Sequence, residues 1–182
     1  MMGYSIPKET FVMVGGELRG NPDRPTYLDV IEIPMGKYAD LRVRVALVRS
    51  EDYSLYDDYT IKSSEDVYSL MEVIDTEPQE TLHVIMLNSR NKVLGVQEVS
   101  RGGLATTVVE AKLFFQAPII ADAASLIIVH NHPSGEPDPS PEDVALTQSL
   151  FESSQLLGFR LLDHVIIGSG GRYTSLADSG LM

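Results

Sequence analysis

The chain has 182 residues, 43% of them hydrophobic and 22% charged, which suits one globular domain with a small appendage. The absence of cysteine excludes disulfides and cysteine-ligated zinc, and the net charge of −12 opposes direct binding to nucleic acid. The sequence shows neither a membrane-spanning apolar segment nor a signal-peptide pattern, so we expect a cytoplasmic location without membrane contact.

The first fifty residues combine strand-like segments with turn residues. Alternation with period two over residues 27–33 and 41–48 predicts two half-buried strands, and a shorter apolar run covers residues 10–14. A polar, tyrosine-rich segment follows, which is typical of a linker. We therefore expect a β-rich extension over residues 1–57, which could pack on the main domain, mediate dimerisation or dock a partner, and a main domain over residues 58–182.

The main domain alternates strand and helix patterns. The predicted elements are a capped helix (63–74), a hairpin (81–88 and 93–100), a helix (109–121), a buried strand (125–130), a helix (141–157) and two strands (160–167 and 172–176). Pro118 should kink or end its helix, and Gly158 should cap the next one. The order predicts an α/β fold, a mixed sheet with flanking helices.

The most informative segment starts where the buried strand ends. Side chains alternate along a strand, so His130 and His132 leave its end on the same side. Residues 133–139 are rich in Pro and must loop, and Ser140 begins a helix that can return Asp143 toward the imidazoles. Taken alone, Ser-x-x-Asp is also a capping pair. Together the residues favour a catalytic zinc site, since three such ligands leave the fourth position open.

This spacing, His130-x-His132-Pro, six residues, then Ser140-x-x-Asp143, resembles the signature of JAMM (JAB/MPN) metalloproteins. The sequences of residues 130–143 and 162–168 resemble those of the RadC-like branch of this family. The resemblance covers about the last two-thirds of the chain. It implies the MPN fold, layered as in cytidine deaminases, and a zinc metallopeptidase of the JAMM type. The helix-hairpin-helix pattern that many RadC-like chains carry does not occur in this sequence.

The resemblance also implies the remaining site residues. In JAMM enzymes a glutamate at the start of a neighbouring strand takes the proton of the attacking water, and Glu80, directly before a predicted strand, matches that position. By sequence alone Glu98 and Glu110 are rivals for this role. Ser140 would cap its helix and, by resemblance, donate a hydrogen bond to the oxyanion.

Further polar residues lie near the motif without an assigned role. Asn131 and Ser134 could shape a substrate groove or hold the histidine tautomers. Asp163 and His164 form a carboxylate–imidazole pair in sequence, which could support a ligand or be structural. His83 falls on a mostly apolar strand and is predicted to be a core or surface residue.

Together these features predict a hydrolase of amide or isopeptide bonds, with Zn²⁺ held by His130, His132 and Asp143 and a peptide or protein conjugate as substrate. The alternative is an accessory or interaction module associated with DNA repair, whose metal site is structural or vestigial. A nuclease is disfavoured, because nuclease sites are usually rich in carboxylates that bind Mg²⁺. A homo-oligomer is compatible with the sequence, which does not specify the substrate.

Overall fold

The computed structural model describes residues 59–102 and 111–182, together with two short strands that precede them. The chain divides into two compact units, residues 1–55 and 56–182. The first unit contains β1 (Asp29–Ile33) and β2 (Arg42–Ala46), which pair antiparallel. These strands agree with the two period-two segments, whereas the apolar run at residues 10–14 lies outside the described residues.

The second unit follows the predicted order of strands and helices. Its elements are α1 (Ser64–Met71), a 3-10 helix (Glu72–Thr76), β3 (Thr81–Leu87), β4 (Val93–Arg101), α2 (Ala111–Ile120), β5 (Ser125–Asn131), α3 (Pro141–Leu157), β6 (Arg160–Ile167) and β7 (Tyr173–Ser175). The α/β fold, a mixed sheet with flanking helices, is confirmed. None of the helices in the described ranges combines the length and apolar character that crossing a membrane requires.

Five strands form one mixed sheet in the order β4-β3-β5-β6-β7. β3 is antiparallel to both of its neighbours, β5 runs parallel to β6, and β7 is antiparallel to β6. Every residue of β3 and β5 is buried, which is why both sequences are almost continuously apolar. Parallel strands need a long crossover connection, and α3 provides it between β5 and β6.

The two faces of the sheet carry different residues. One face packs against α1 in a core built from residues two apart on each strand: Ile85 and Leu87, Ile127 and Val129, Val165 and Ile167. The alternate residues, which include His130 on β5 and His164 on β6, point to the opposite face. That face therefore combines apolar packing with buried polar groups.

The buried side of α3 does not follow the apolar residues of the helix. These include Val144, Leu146, Leu150, Phe151 and Leu156, and only Leu150 of these is buried. The other buried positions are polar, namely Asp143, Thr147 and Ser154. Hydropathy patterns cannot find such a face, because the buried stripe contains more polar than apolar residues.

The end of α2 agrees with the expected effect of Pro118. The helix continues only two residues beyond the proline and ends at Ile120. Asp122 then adopts a left-handed backbone conformation, with φ at 51°. The proline therefore lies in the last turn, where the loss of its N–H bond affects few helical residues.

His83 lies on β3, on the face that packs against α1, and is 9% exposed. Its Nε2 lies 3.0 Å from Thr81 Oγ1. Burial lowers the pKa of His83, and nearby Arg101 adds to this, while the charges of Glu98 and Glu77 oppose it. Of the two predicted alternatives for His83, a core or a surface position, the structure therefore confirms the core position.

We expect Leu150→Ala to lower the free energy of unfolding by about 2–5 kcal/mol, because Leu150 is 1% exposed and its removal leaves a cavity. The matched control is Leu156→Ala on the same helix, where the side chain is 88% exposed and the change should stay within about 0.5 kcal/mol. Urea unfolding of both variants measures this. Equal losses would contradict the packing described for α3.

His83 should make the protein less stable in mild acid. Above the unfolded pKa of about 6.5 both states are neutral; as the pH falls from there toward the depressed folded pKa, only the unfolded state takes up the proton. His83→Gln should therefore lose less free energy of unfolding than wild type between about pH 8 and about pH 5. Urea titrations at several pH values measure the difference. Parallel curves for the two proteins would refute the assignment.

Candidate metal centre

The two imidazoles meet at the carboxyl end of β5. His130 is the penultimate residue of the strand and is fully buried, whereas His132 follows the strand and is half-buried. The backbone N–H of His132 donates to Ile167 O at 2.9 Å, so the chain stays attached to β6 at this point. The Nε2 atoms of the two rings lie 3.0 Å apart. The strand alternation therefore brings both rings to one point, as the sequence predicts.

Asp143 approaches the imidazoles from the first turn of α3. Ser140 caps this helix: its Oγ accepts the Asp143 N–H at 3.1 Å, and Asp143 Oδ2 accepts the Ser140 N–H at 2.8 Å. Asp143 Oδ1 lies 3.2 Å from His130 Nε2, and Oδ2 lies 3.5 Å from His132 Nε2. The capping box thus fixes the carboxylate beside both rings, so capping and proximity to the histidines coexist.

Glu80 completes a group of four side chains that could hold a metal ion. One ligand atom from each of Glu80, His130, His132 and Asp143 lies within 4.8 Å of the others. Glu80 is half-buried, and it directly precedes β3, the strand that neighbours β5. The structure therefore brings all four of these predicted residues together.

Asn131 holds the segment that carries Glu80. Its amide nitrogen donates to Glu77 O at 3.3 Å and to Gln79 O at 3.1 Å. Its amide oxygen accepts the backbone N–H and the hydroxyl of Thr81, both at 2.8 Å. Asn131 is fully buried and points away from His130, since the two are consecutive on a strand. It therefore positions Glu80 through the backbone, which differs from the groove or tautomer roles considered from sequence.

The rival Glu98 lies away from the four-residue group. Glu98 lies on β4 and pairs with Arg101 at 2.8 Å, and Arg101 also pairs with Glu77. Among the described residues Glu98 is not a member of the four-residue group. Glu110 lies outside the described residues.

The tautomer of His132 follows from its second hydrogen bond. Its Nδ1 lies 2.8 Å from Glu136 O, and a carbonyl can only accept, so Nδ1 carries the hydrogen and Nε2 keeps a lone pair. Ser134 stays within this loop, where its Oγ accepts the Glu136 N–H at 3.3 Å. Arg172 braces the same loop by donating to Gly135 O at 2.9 Å and pairing with the Glu136 carboxylate at 2.6 Å.

Asp163 and His164 do not form the side-chain pair that their adjacency suggested. Asp163 accepts hydrogen bonds from Ser175 Oγ at 2.7 Å and Ala177 N at 3.0 Å, so it anchors the chain after β7. His164 points to the other face of the sheet, where its Nε2 lies 2.7 Å from His130 Nδ1. Consecutive strand residues face opposite ways, and only His164 reaches the site.

The electrostatics of the group favour a positive charge between its members. Burial alone would raise the pKa of Asp143, but hydrogen bonds that His130 and His132 donate when their Nε2 atoms are protonated, together with the one from Ser140, outweigh it and hold that pKa well below its usual range. The hydrogen bond with Asp143 raises the pKa of His132 against the opposing effect of burial. Burial holds the pKa of His164 well below 6.5. A proton or a metal cation can supply the positive charge.

The chain is similar to proteins of one family over most of its length. The model of the RadC-like JAB domain matches residues 61–181. A UPF0758 protein of Clostridium acetobutylicum is 42% identical over 135 residues, 74% of this chain and 58% of that protein. A UPF0758 protein of Caldanaerobacter subterraneus is 41% identical over 150 residues, 81% of this chain and 64% of that protein. This chain thus spans less than two thirds of either relative.

A third relative aligns with the whole chain. A UPF0758 protein of Clostridium kluyveri is 38% identical over 193 aligned positions, which cover 100% of this chain and 84% of that protein. The aligned region therefore spans the positions of the candidate metal centre and of the elements that carry it.

Proposed function

The chain belongs to the RadC-like JAB domain family, and on this basis we propose that it is a zinc-dependent hydrolase of amide or isopeptide bonds. The observation that supports the proposal is the convergence of two imidazoles and two carboxylates within 4.8 Å at the end of β5. A peptide or a protein conjugate is the proposed substrate.

The donor set fits zinc. His130 Nε2, His132 Nε2 and a carboxylate oxygen of Asp143 would hold the ion, as in catalytic sites with three protein ligands. Mg²⁺ and Ca²⁺ prefer oxygen ligands throughout, so two imidazoles disfavour them. When bound, zinc supplies Lewis acidity that lowers the pKa of water toward neutrality and polarises a carbonyl group.

Glu80 is the proposed general base. A carboxylate oxygen of Glu80 lies within 4.8 Å of the other ligand atoms, and the residue is half-buried, which supports access to solvent as well as to the metal position. It would take a proton as the water oxygen attacks the carbonyl carbon, and return that proton to the leaving nitrogen as the C–N bond breaks. The products are then a carboxylic acid and an amine.

Ser140 is the proposed donor to the oxyanion, and it must rotate to fill this role. Its hydroxyl donates to Asp143 Oδ2 at 2.6 Å, and one hydroxyl hydrogen cannot serve two acceptors. The Ser140 N–H donates to the same Oδ2 at 2.8 Å, so the carboxylate keeps a partner when the hydroxyl turns away. The Ser140 hydroxyl could thus donate to Asp143 in the free protein and to the oxyanion when substrate is bound.

Metal content is the first test of the zinc site. We expect about one zinc per chain in the wild-type protein, as in other sites of this ligand type, and none in the His130→Ala/His132→Ala variant. Elemental analysis after removal of free metal measures both, with circular dichroism to show that the variant is folded. If the wild-type protein holds no zinc even after zinc is supplied, the hydrolase proposal is contradicted, and the alternative of an accessory or interaction module is favoured.

Glu80→Gln separates a base from a fourth ligand. As a base, Glu80 should be dispensable for zinc binding, while hydrolysis of a substrate found in a peptide and isopeptide screen should fall about 100- to 10,000-fold. Glu98→Gln is the matched control and should leave both properties unchanged, because Glu98 pairs with Arg101 outside the group. Loss of zinc from Glu80→Gln would instead make Glu80 a ligand and the site a closed, structural one.

A further inference from the structure

His164 and Thr147 connect His130 to the helix that carries Asp143. His164 Nε2 lies 2.7 Å from His130 Nδ1, and His164 Nδ1 lies 2.6 Å from Thr147 Oγ1. Thr147 Oγ1 in turn lies 2.6 Å from the backbone oxygen of Asp143. His164 and His130 are fully buried and Thr147 is 2% exposed, so water does not compete for these contacts.

The periodicities of strand and helix explain why these residues meet. His164 stands opposite Ile128 in the parallel pairing of β5 and β6, and Ile128 precedes His130 by two residues. The two rings therefore project from the same face of the sheet. Thr147 follows Asp143 by four residues, so it lies one turn further along the same side of α3.

The direction of the hydrogen bonds is fixed by their last member. A carbonyl oxygen has no hydrogen, so two oxygens 2.6 Å apart at this point require Thr147 to donate to Asp143 O. Thr147 Oγ1 must then accept from His164 Nδ1–H, which leaves His164 Nε2 without a hydrogen. His164 Nε2 accepts from His130 Nδ1–H, and the neutral His130 ring then has its lone pair on Nε2.

We propose that Thr147 and His164 are positioning residues that hold His130 in the tautomer whose Nε2 can bind the metal. The inference rests on the proposed zinc site and assigns residues that act through its ligand. His132 obtains the same tautomer directly from the Glu136 carbonyl. His130 is on a central strand of the sheet, and within the described part of the chain its Nδ1 is connected to a backbone carbonyl through these two side chains. Both ligand rings are thus set by a backbone oxygen.

Loss of the Thr147 hydroxyl should weaken zinc binding without touching a ligand. His164 Nδ1 would lose its acceptor, and the ring could then place its hydrogen on Nε2, opposite His130 Nδ1. His130 would have to carry its own hydrogen on Nε2, the atom that faces the metal site. Removal of such outer partners typically weakens metal binding about 10- to 100-fold.

The test is the zinc dissociation constant of the full chain, measured by competition with a chromophoric chelator. Thr147→Val keeps the side-chain shape and should weaken zinc binding about 10- to 100-fold, whereas Thr147→Ser keeps the hydroxyl and should stay near wild type. Ser153→Ala is the matched control: this half-buried residue of α3 also donates to the carbonyl four residues before it, at 2.9 Å, and forms no hydrogen bond with a histidine among the described residues. It should bind zinc like wild type.

The outcomes separate the two proposals. If wild type binds no zinc, the proposed function fails and this inference with it. If wild type binds zinc and Thr147→Val binds equally well, only the role of Thr147 and His164 is overturned. The same conclusion follows if Thr147→Ser weakens binding as much as Thr147→Val does, because packing would then be the cause.

A second measurement needs no variant and remains decisive if Thr147→Val does not fold. Nitrogen-15 NMR of the zinc-loaded wild-type protein should show His130 and His164 both carrying hydrogen on Nδ1, with slow exchange because the rings are buried. A hydrogen on His164 Nε2 would overturn the proposal, since it reverses the direction of the chain of hydrogen bonds.

Discussion

The parallel pairing of β5 with β6 is the constraint on which the candidate site depends. Parallel neighbours cannot be joined by a tight turn, so the chain must cross over the sheet, and α3 is that crossover. The crossover starts from the end of β5 and places the first turn of α3 over it. His130 and Asp143 are thereby adjacent in space, while β6 places His164 beside His130.

The two faces of the sheet pack against different helices and bury different groups. The face against α1 has an apolar core, and its buried polar side chains, His83, Asn131 and Asp163, lie on that same face with hydrogen-bond partners of their own. The opposite face buries polar groups of the sheet and of α3. Burying such groups is costly unless each is hydrogen-bonded. Asp143, Thr147 and His164 satisfy one another, so the polar face of α3 is compatible with a stable fold.

Local helix chemistry and site geometry share the same atoms. A capping box is a common way to start a helix, and here it also limits the positions that the Asp143 carboxylate can take. Asn131 likewise satisfies two carbonyls of the segment before β3 and the N–H of Thr81, the first residue of β3, and so holds Glu80 beside the histidines. Hydrogen bonds that every fold must make anyway therefore pre-organise the group at little extra cost.

The sequence by itself determined the element order, the mixed α/β fold and the convergence of His130, His132 and Asp143, because these follow from local periodicity, a loop-forming segment and a helix cap. Only the tertiary structure decided that His164 faces the site while Asp163 does not, and that α3 buries a polar side. Both depend on strand register and helix rotation. These are set by long-range packing, on which hydropathy along the chain carries little information.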